Sequence, residues 1–315
     1  KEYFINGNGA VINATINKYC YCKITDNKRG KVVFTSLDKN ISEVYKNKKL
    51  CSLILHQACY EYFKQTYNGN KKFSINIDTF VDAPEGSGLG TSSSIVLAII
   101  SSLLTYFNKS LTKNRLIDLA YYIERDVCQI KGGVQDFYAS TYGGVNLFNF
   151  TKKYTRIKKI KFSEKFQTQF DSSFMIAYLG QSRSSSKIIE NQLKNITNQN
   201  YQKNMSLTLK GVDNIYEAIS NSDFKKFNQI IKQLWEIKKE FSPKISSNLI
   251  NVLINKLYEF GAYSVKISGA GGGGYFFLFC SINNRQKIIN YLKKKGIIVE
   301  NIYITNESIK SWCYG

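Results

Sequence analysis

Three stretches of this 315-residue sequence gather glycines, hydroxyls and carboxylates at spacings that suit phosphate chemistry. The first is Pro84-Glu-Gly-Ser-Gly-Leu-Gly-Thr-Ser-Ser-Ser94. Gly86, Gly88 and Gly90 let the backbone approach a ligand closely and turn its N–H groups inward. The hydroxyls of residues 91–94 can reach phosphate oxygens or a Mg²⁺ ion. No Gly-Lys-Ser/Thr closes the run, so it is not a Walker A loop. The competing reading is a flexible Gly/Ser loop with an over-provided helix cap. The second stretch sets Glu124 ahead of Gly132-Gly-Val-Gln-Asp-Phe-Tyr-Ala139. A Glu and an Asp converging beside a phosphate loop would serve Mg²⁺ binding and activation of a hydroxyl. Taken alone, an Asp in a Gly-flanked segment is a turn or cap residue. The third stretch is Gly269-Ala-Gly-Gly-Gly-Gly274. It formally contains GxGxxG, but a dinucleotide fingerprint needs a helix next, and Tyr275-Phe-Phe-Leu-Phe279 reads as a strand. What remains is a Gly loop that brings bare backbone close to a phosphate or another loop, or a tight structural hairpin.

These residues need particular elements to position them. Residues 72–81 alternate Phe73, Ile75 and Ile77 against Ser74, Asn76 and Asp78, the pattern of a strand entering the first loop. Residues 95–107 are apolar behind the polar run 91–94, so a helix leaves that loop. Its orphan N–H groups and the positive end of its dipole would strengthen an anion site. Residues 115–127 read as the helix carrying Glu124, and 265–268 and 275–280 as strands around the third stretch. Elsewhere 10–24 and 31–34 read as extended, 53–67 as a helix, and 145–150 and 174–179 as strands. Residues 185–241 read as mostly helical with a break near 198–200, followed by helices at 249–260 and 284–294 and a final strand at 296–304. Regular βαβ alternation is missing, so an α+β class is expected over a doubly wound sheet. The Lys- and Thr-bearing stretch 151–163 is the expected domain boundary, giving domains 1–165 and 166–315.

Composition narrows the chemistry. The single His excludes a His-rich zinc site and leaves a Ser-His-Asp triad only His56, which lies on an apolar helix face and reads as a core residue. Two Pro exclude a Pro-rich linker. Lys and Arg number 44 against 23 Asp and Glu, a net charge of +21 that suits polyanionic partners: nucleic acid, membrane surface or phosphorylated substrates. The lysines are scattered and no nucleic-acid-binding motif accompanies them, so compositional bias is the simpler account. Seven Cys, an odd count without CxxC, suit free thiols in a reducing cytoplasm. The longest apolar stretch, 94–104, is broken by Ser101 and Ser102 and too short to span a bilayer. No signal peptide is expected, and neither nucleic acid nor membrane is expected as a partner. A homodimer is left open.

Taken in order, the three stretches resemble the GHMP kinases, the family of galactokinase, homoserine, mevalonate and phosphomevalonate kinases. That family's P-x-x-x-G-L-G-S-S pattern is matched by Pro84, Gly88, Leu89, Gly90, Thr91 and Ser92, and its C-terminal Gly motif by residues 268–274. Gly9-Ala-Val-Ile-Asn-Ala-Thr-Ile16, Gly133-Val-Gln-Asp-Phe-Tyr-Ala139 and Trp235-Glu-Ile-Lys-Lys239 are similar to the D-glycero-D-manno-heptose 7-phosphate kinase branch. The resemblance runs over nearly the whole chain. Two departures stand out. Members usually carry a basic strand and a Gly-Gly-Gly-Thr-Asp segment before the stretch matched here by 2–16, and that segment contributes a catalytic Arg and sugar contacts. These residues are not in the sequence above, which leaves open a longer chain or a non-catalytic relative. Gly261-Ala-Tyr-Ser-Val-Lys266 lacks a second Gly pair and keeps the Lys.

The resemblance implies a two-lobed fold, an N-terminal ribosomal-protein-S5-domain-2-like lobe and a C-terminal ferredoxin-like lobe. It implies ATP and Mg²⁺ as cofactors. Gly86, Ser87, Gly88, Leu89, Gly90 and Thr91 would cradle the phosphates, with Ser93, Gly271 and Gly272 also binding the nucleotide. Ser92 and Glu124 would hold Mg²⁺. Asp136 would face the acceptor hydroxyl as the catalytic residue, with Gly133 beside the substrate. The implied reaction phosphorylates the anomeric 1-hydroxyl of heptose 7-phosphate, giving the 1,7-bisphosphate and ADP. A fucose- or galactose-type kinase and a non-catalytic ATP/sugar sensor are the alternatives. A substrate that already carries phosphate needs a second cationic pocket; Arg183 in Gly180-Gln-Ser-Arg-Ser-Ser-Ser186 is the first candidate, followed by Ser184 and Lys238.

Overall fold

The alternating and apolar runs take shape in a computed structural model that describes residues 9–46, 50–180, 185–193 and 198–314. The chain begins in the larger of two units with β1 (Gly9–Ala14). It then builds most of the smaller unit: β2 (Cys20–Asp26), β3 (Val33–Ser36), β4 (Ile41–Val44), α1 (Ile54–Tyr67), β5 (Ile75–Val81), α2 (Thr91–Tyr106), α3 (Lys113–Tyr121), a π-helical segment (Tyr122–Val127) and α4 (Gln135–Tyr142). Back in the larger unit follow β6 (Val145–Phe150), β7 (Thr155–Lys159), α5 (Glu164–Ser173), β8 (Phe174–Tyr178), α6 (Ser185–Leu193), α7 (Gln199–Ser220), α8 (Phe224–Lys239), α9 (Asn248–Glu259), β9 (Ala262–Ile267), β10 (Tyr275–Cys280), α10 (Ile282–Lys294) and β11 (Ile298–Glu300). The larger unit draws on Lys1–Asn17, Gly86–Leu89 and Gly144–Thr305, and the smaller on Lys18–Glu85, Gly90–Gly143 and Asn306–Gly315, in each case through the described residues. The chain passes between the units five times, and none of these passages lies at residue 165.

In the smaller unit the sheet order is β2-β5-β3-β4, with β3 parallel to β5 and the other pairs antiparallel. The period-2 pattern of β5 buries Ile75, Ile77, Thr79 and Val81. α2 is apolar on most of its circumference, as a helix inside a core must be, and buries Val96, Leu97, Ile99, Ile100, Leu103 and Leu104. In the larger unit one sheet runs β1-β6-β7 and the other β11-β8-β10-β9, all antiparallel. β10 is central and almost wholly buried, which explains its unbroken Tyr-Phe-Phe-Leu-Phe-Cys run. Much of the aromatic richness is core: Phe227 meets Phe166 and Phe279 edge-on, each pair 5.4 Å apart.

The stretch 151–163, read as a domain boundary, holds regular structure. Residues 155–159 form β7, paired along its whole length with β6. α5 follows, started by Ser163, whose hydroxyl accepts the Phe166 N–H at 3.2 Å. The helical run 185–241 breaks a second time, at 221–223, where Ser222 has φ +55°. The final strand is short: β11 pairs with β8 over three residues, and an isolated bridge then joins Ile304 to Ile16. No helix among the described residues is long and apolar enough to cross a membrane.

Candidate functional site

In the smaller unit the first turn of α2, the π-helical segment and the start of α4 converge. Gly90 caps α2 in the left-handed conformation (φ +76°), and no side chain caps the helix in its place. The first intrahelical bond runs from Ser94 N to the Gly90 carbonyl at 3.1 Å. The amides of Thr91, Ser92 and Ser93 are therefore the orphan donors of this helix end, and no acidic residue sits in its first turn. Such a terminus favours an anion.

Glu124 lies below it, fully buried. Its Oε1 accepts from Ser92 Oγ at 2.6 Å and from Arg125 Nη1 at 2.9 Å, and its Oε2 accepts from Ser93 Oγ at 2.9 Å. Burial of this carboxylate is offset by these donors and by the Arg125 countercharge. The π-turn that continues α3 gives the segment its wider spacing. Arg125 also donates to the Ile130 and Gly133 carbonyls at 3.1 and 3.2 Å, and its guanidinium lies 5.2 Å from the Phe137 ring centre. A side chain on Gly132 would meet Arg125 Nη2 at 2.5 Å, so the glycine is needed for the guanidinium to lie there. Gly133 is exposed, and space is open where its side chain would be.

Asp136, half-buried on the first turn of α4, lies against Gly90: a Cβ on that glycine would be 3.0 Å from both Cβ and Cγ of the Asp. Burial raises its carboxyl to about 6, Arg125 pulls the other way, and Glu124 adds to the rise. That value suits a group that receives a proton near neutral pH.

In the larger unit residues 86–89 are clasped by the loop 268–274. The Tyr275 N–H donates to the Ser87 carbonyl at 2.8 Å. A Cβ on Gly269 would meet Gly88 Cα at 2.7 Å, and one on Gly274 would meet the Ser87 carbonyl oxygen at 2.4 Å. The two glycine runs thus pack as bare backbone on bare backbone. Ser87 is fully buried and its hydroxyl accepts the Leu89 N–H at 3.3 Å, so this side chain secures the turn. The Gly272 amide donates to the Ile245 carbonyl at 2.7 Å, and a Cβ on Gly271 would strike Ile245 Cγ2 at 2.8 Å. The Ser87 hydroxyl and the Gly272 amide thus each make one bond within the fold, and a serine hydroxyl that accepts one bond keeps an O–H to donate. Lys238 Nζ donates to the Gly269 carbonyl. Arg183 and Ser184 lie outside the described residues.

The structure thus brings Gly90, Thr91, Ser92, Ser93, Glu124, Gly133 and Asp136 together in one unit, and Gly86, Ser87, Gly88, Leu89, Gly271, Gly272 and Lys238 together in the other. Sequence reasoning missed Arg125, although a cation adjacent to the singled-out Glu124 was a usable signal. His56 is buried, bonded to Thr79 Oγ1 at 2.9 Å and lowered to about 4 by burial, so it is a core residue as expected. All seven Cys are free, and burial pushes Cys20 and Cys22 up to about 12, away from thiolate chemistry. Ser92 and Glu124 fit a hard cation: both offer oxygen, and the two atoms already lie 2.6 Å apart. Among the described residues there is no group of three or more His, Cys, Asp or Glu that could hold a metal ion; Mg²⁺ is commonly bound by one or two carboxylates together with substrate phosphates and water.

Residues 53–144 match the family described as GHMP kinases N terminal domain, and residues 215–298 match GHMP kinases C terminal. The D-glycero-alpha-D-manno-heptose 7-phosphate kinase of Campylobacter jejuni subsp. jejuni serotype O:2 is 30% identical over 311 residues, covering 96% of this chain and 91% of that one. Among solved structures, a D-glycero-D-manno-heptose 1-phosphate kinase from Bacteroides thetaiotaomicron has a TM-score of 0.75 at 22% identity, covering 97% of this chain and 92% of that one. The mevalonate kinase of Methanococcus jannaschii has a TM-score of 0.74 at 18% identity, covering 96% and 93%. At these identities the two structures establish the fold.

Proposed function

The chain belongs to the GHMP kinases and is a phosphotransferase acting on a sugar hydroxyl with ATP as donor, and from that premise we propose that its acceptor is D-glycero-D-manno-heptose 7-phosphate. The anomeric 1-hydroxyl is the attacking group. Its oxygen bonds to the γ-phosphorus, the bond from that phosphorus to the β,γ-bridging oxygen breaks, and the 1,7-bisphosphate and ADP are released. The relative from Campylobacter jejuni, similar over nearly the entire chain, supports the choice of sugar.

The observation that carries the mechanism is the seat of Asp136 against Gly90, at the mouth of the α2 terminus. Orphan amides of Thr91, Ser92 and Ser93 receive phosphate oxygens, where the helix dipole favours negative charge. Asp136 accepts a hydrogen bond from the 1-hydroxyl, aims its oxygen at the phosphorus and takes the proton as the new bond forms. Phosphoryl transfer asks for positioning and charge neutralisation more than for a strong base, and a carboxylate near 6 meets that demand. Ser92 and Glu124 would hold Mg²⁺, which when bound neutralises charge on the β- and γ-phosphates. Arg125 pairs with Glu124 and holds it in place.

The test is a coupled ADP-release assay on the full-length protein with heptose 7-phosphate, fucose, galactose and mevalonate. Heptose 7-phosphate should give the highest kcat/KM, and Asp136→Asn should lower kcat by roughly 10²–10⁴-fold. Turnover indifferent to Asp136→Asn would remove the catalytic role. Absence of turnover with every acceptor would favour a sensor that binds ATP and sugar.

A further inference from the structure

The mechanism above gives Arg125 one task, pairing with Glu124, yet its guanidinium is engaged on four sides. Nη1 donates to Glu124 Oε1 at 2.9 Å and to the Ile130 carbonyl at 3.1 Å. Nη2 donates to Ser93 Oγ at 3.3 Å and to the Gly133 carbonyl at 3.2 Å. The four terminal N–H groups thus meet four acceptors, and of the five donors only Nε lacks one among the described residues. The acceptors come from three segments of the smaller unit: the first turn of α2, the π-helical segment and the loop that enters α4. The Arg125 side chain is 8% exposed, and its guanidinium lies 5.2 Å from the ring centre of fully buried Phe137.

Asp136 stands three residues after Gly133 and one before Phe137. Val134, at the cap position of α4, offers no side-chain bond to the free amides of that helix. The start of α4 is instead tied from outside the helix, by the arginine's bond to the Gly133 carbonyl and its approach to the Phe137 ring. We propose that Arg125 is a positioning residue for phosphoryl transfer: one planar fork fixes Asp136 relative to the α2 terminus where phosphate docks. This rests on the kinase reading above. A lysine here would keep the positive charge but bring a single nitrogen, which cannot span the four acceptors. Gly132 belongs to the same device. Its φ is not left-handed, so the backbone accepts alanine, but the added Cβ would lie 2.5 Å from Arg125 Nη2 and drive the guanidinium off its acceptors.

The test measures kcat and KM for Arg125→Lys, Gly132→Ala and the double variant in the full-length protein. All three keep a cation beside Glu124. Each single variant should lower kcat by about 10²-fold, the cost of a misplaced group, while KM for ATP holds. The double variant should be no worse than Arg125→Lys alone, because the glycine acts only through the arginine's fork. A native kcat in either single variant, a loss confined to KM, or losses that multiply in the double variant overturns the proposal. If no acceptor is turned over even by the unaltered protein, the kinase reading fails separately, and hydrogen exchange of the ligand-free protein decides. Amides of residues 126–135 should then exchange about tenfold faster or more in both single variants; unchanged exchange there sinks the positioning role.

Discussion

Two titrating side chains pull the stability of this protein in opposite directions. Asp136 is raised from 3.8 to about 6, chiefly by burial. The folded state therefore holds its proton more tightly, and the stability this contributes is present below 3.8 and lost as pH rises through 6. Asp136→Asn should consequently raise the thermal midpoint at pH 7 by a few degrees while removing turnover, the sign of a group kept for function. In the unaltered enzyme kcat/KM should fall about tenfold per pH unit below 6 as the carboxylate protonates. His56 behaves the other way. Burial lowers it from 6.5 to about 4, so its contribution is present above 6.5 and is lost as pH falls through 4. Up to about 3 kcal/mol should disappear over that window. Thermal melts at pH 7 and 4.5 should show the loss in the native protein and a smaller one in His56→Asn.

Elements meet at this site through glycine and one arginine. Gly90→Ala would force a left-handed alanine and push a methyl to 3.0 Å from Asp136, so it should lower stability by about 1–2 kcal/mol and kcat together. Arg125→Met leaves Glu124 buried without its countercharge, and denaturant melts should register a loss of about 3–5 kcal/mol. The elements that carry these residues were legible where one signal dominated: the alternation of β5, the apolar circumference of α2 and the unbroken run of β10. The three glycine-bearing stretches stood out because closely spaced glycines mark backbone held near a ligand or near other backbone, and the second use is seen where 268–274 packs on 86–89. The π-turn was not, since a shift in hydrogen-bond register leaves no trace in residue type. β7 was hidden because its lysines face water and look like linker composition, although Ser163 with Phe166 and Phe170 announces the helix after it. The bonds that Ser87 and Gly272 make within the fold, a local one to Leu89 and a distant one to Ile245, left no mark in residue type.

At the scale of the whole chain, the sequence shows the α+β class and the family motifs, while the division into units depends on contacts between distant segments. β1 finds its partner β6 more than a hundred residues later, and a side chain on Gly143 would collide with the Asn306 and Glu307 carbonyls at 2.7 and 2.4 Å. A fragment ending at residue 165 should therefore lack cooperative unfolding in calorimetry, because it omits residues 306–314 of one unit and most of the other. This interleaving bears on how the protein is made. During translation β1 emerges long before its hydrogen-bonding mate β6, and the smaller unit is not whole until the segment after Thr305 has left the ribosome. Completion of the smaller unit thus waits on a segment that follows the whole of the larger one in the chain.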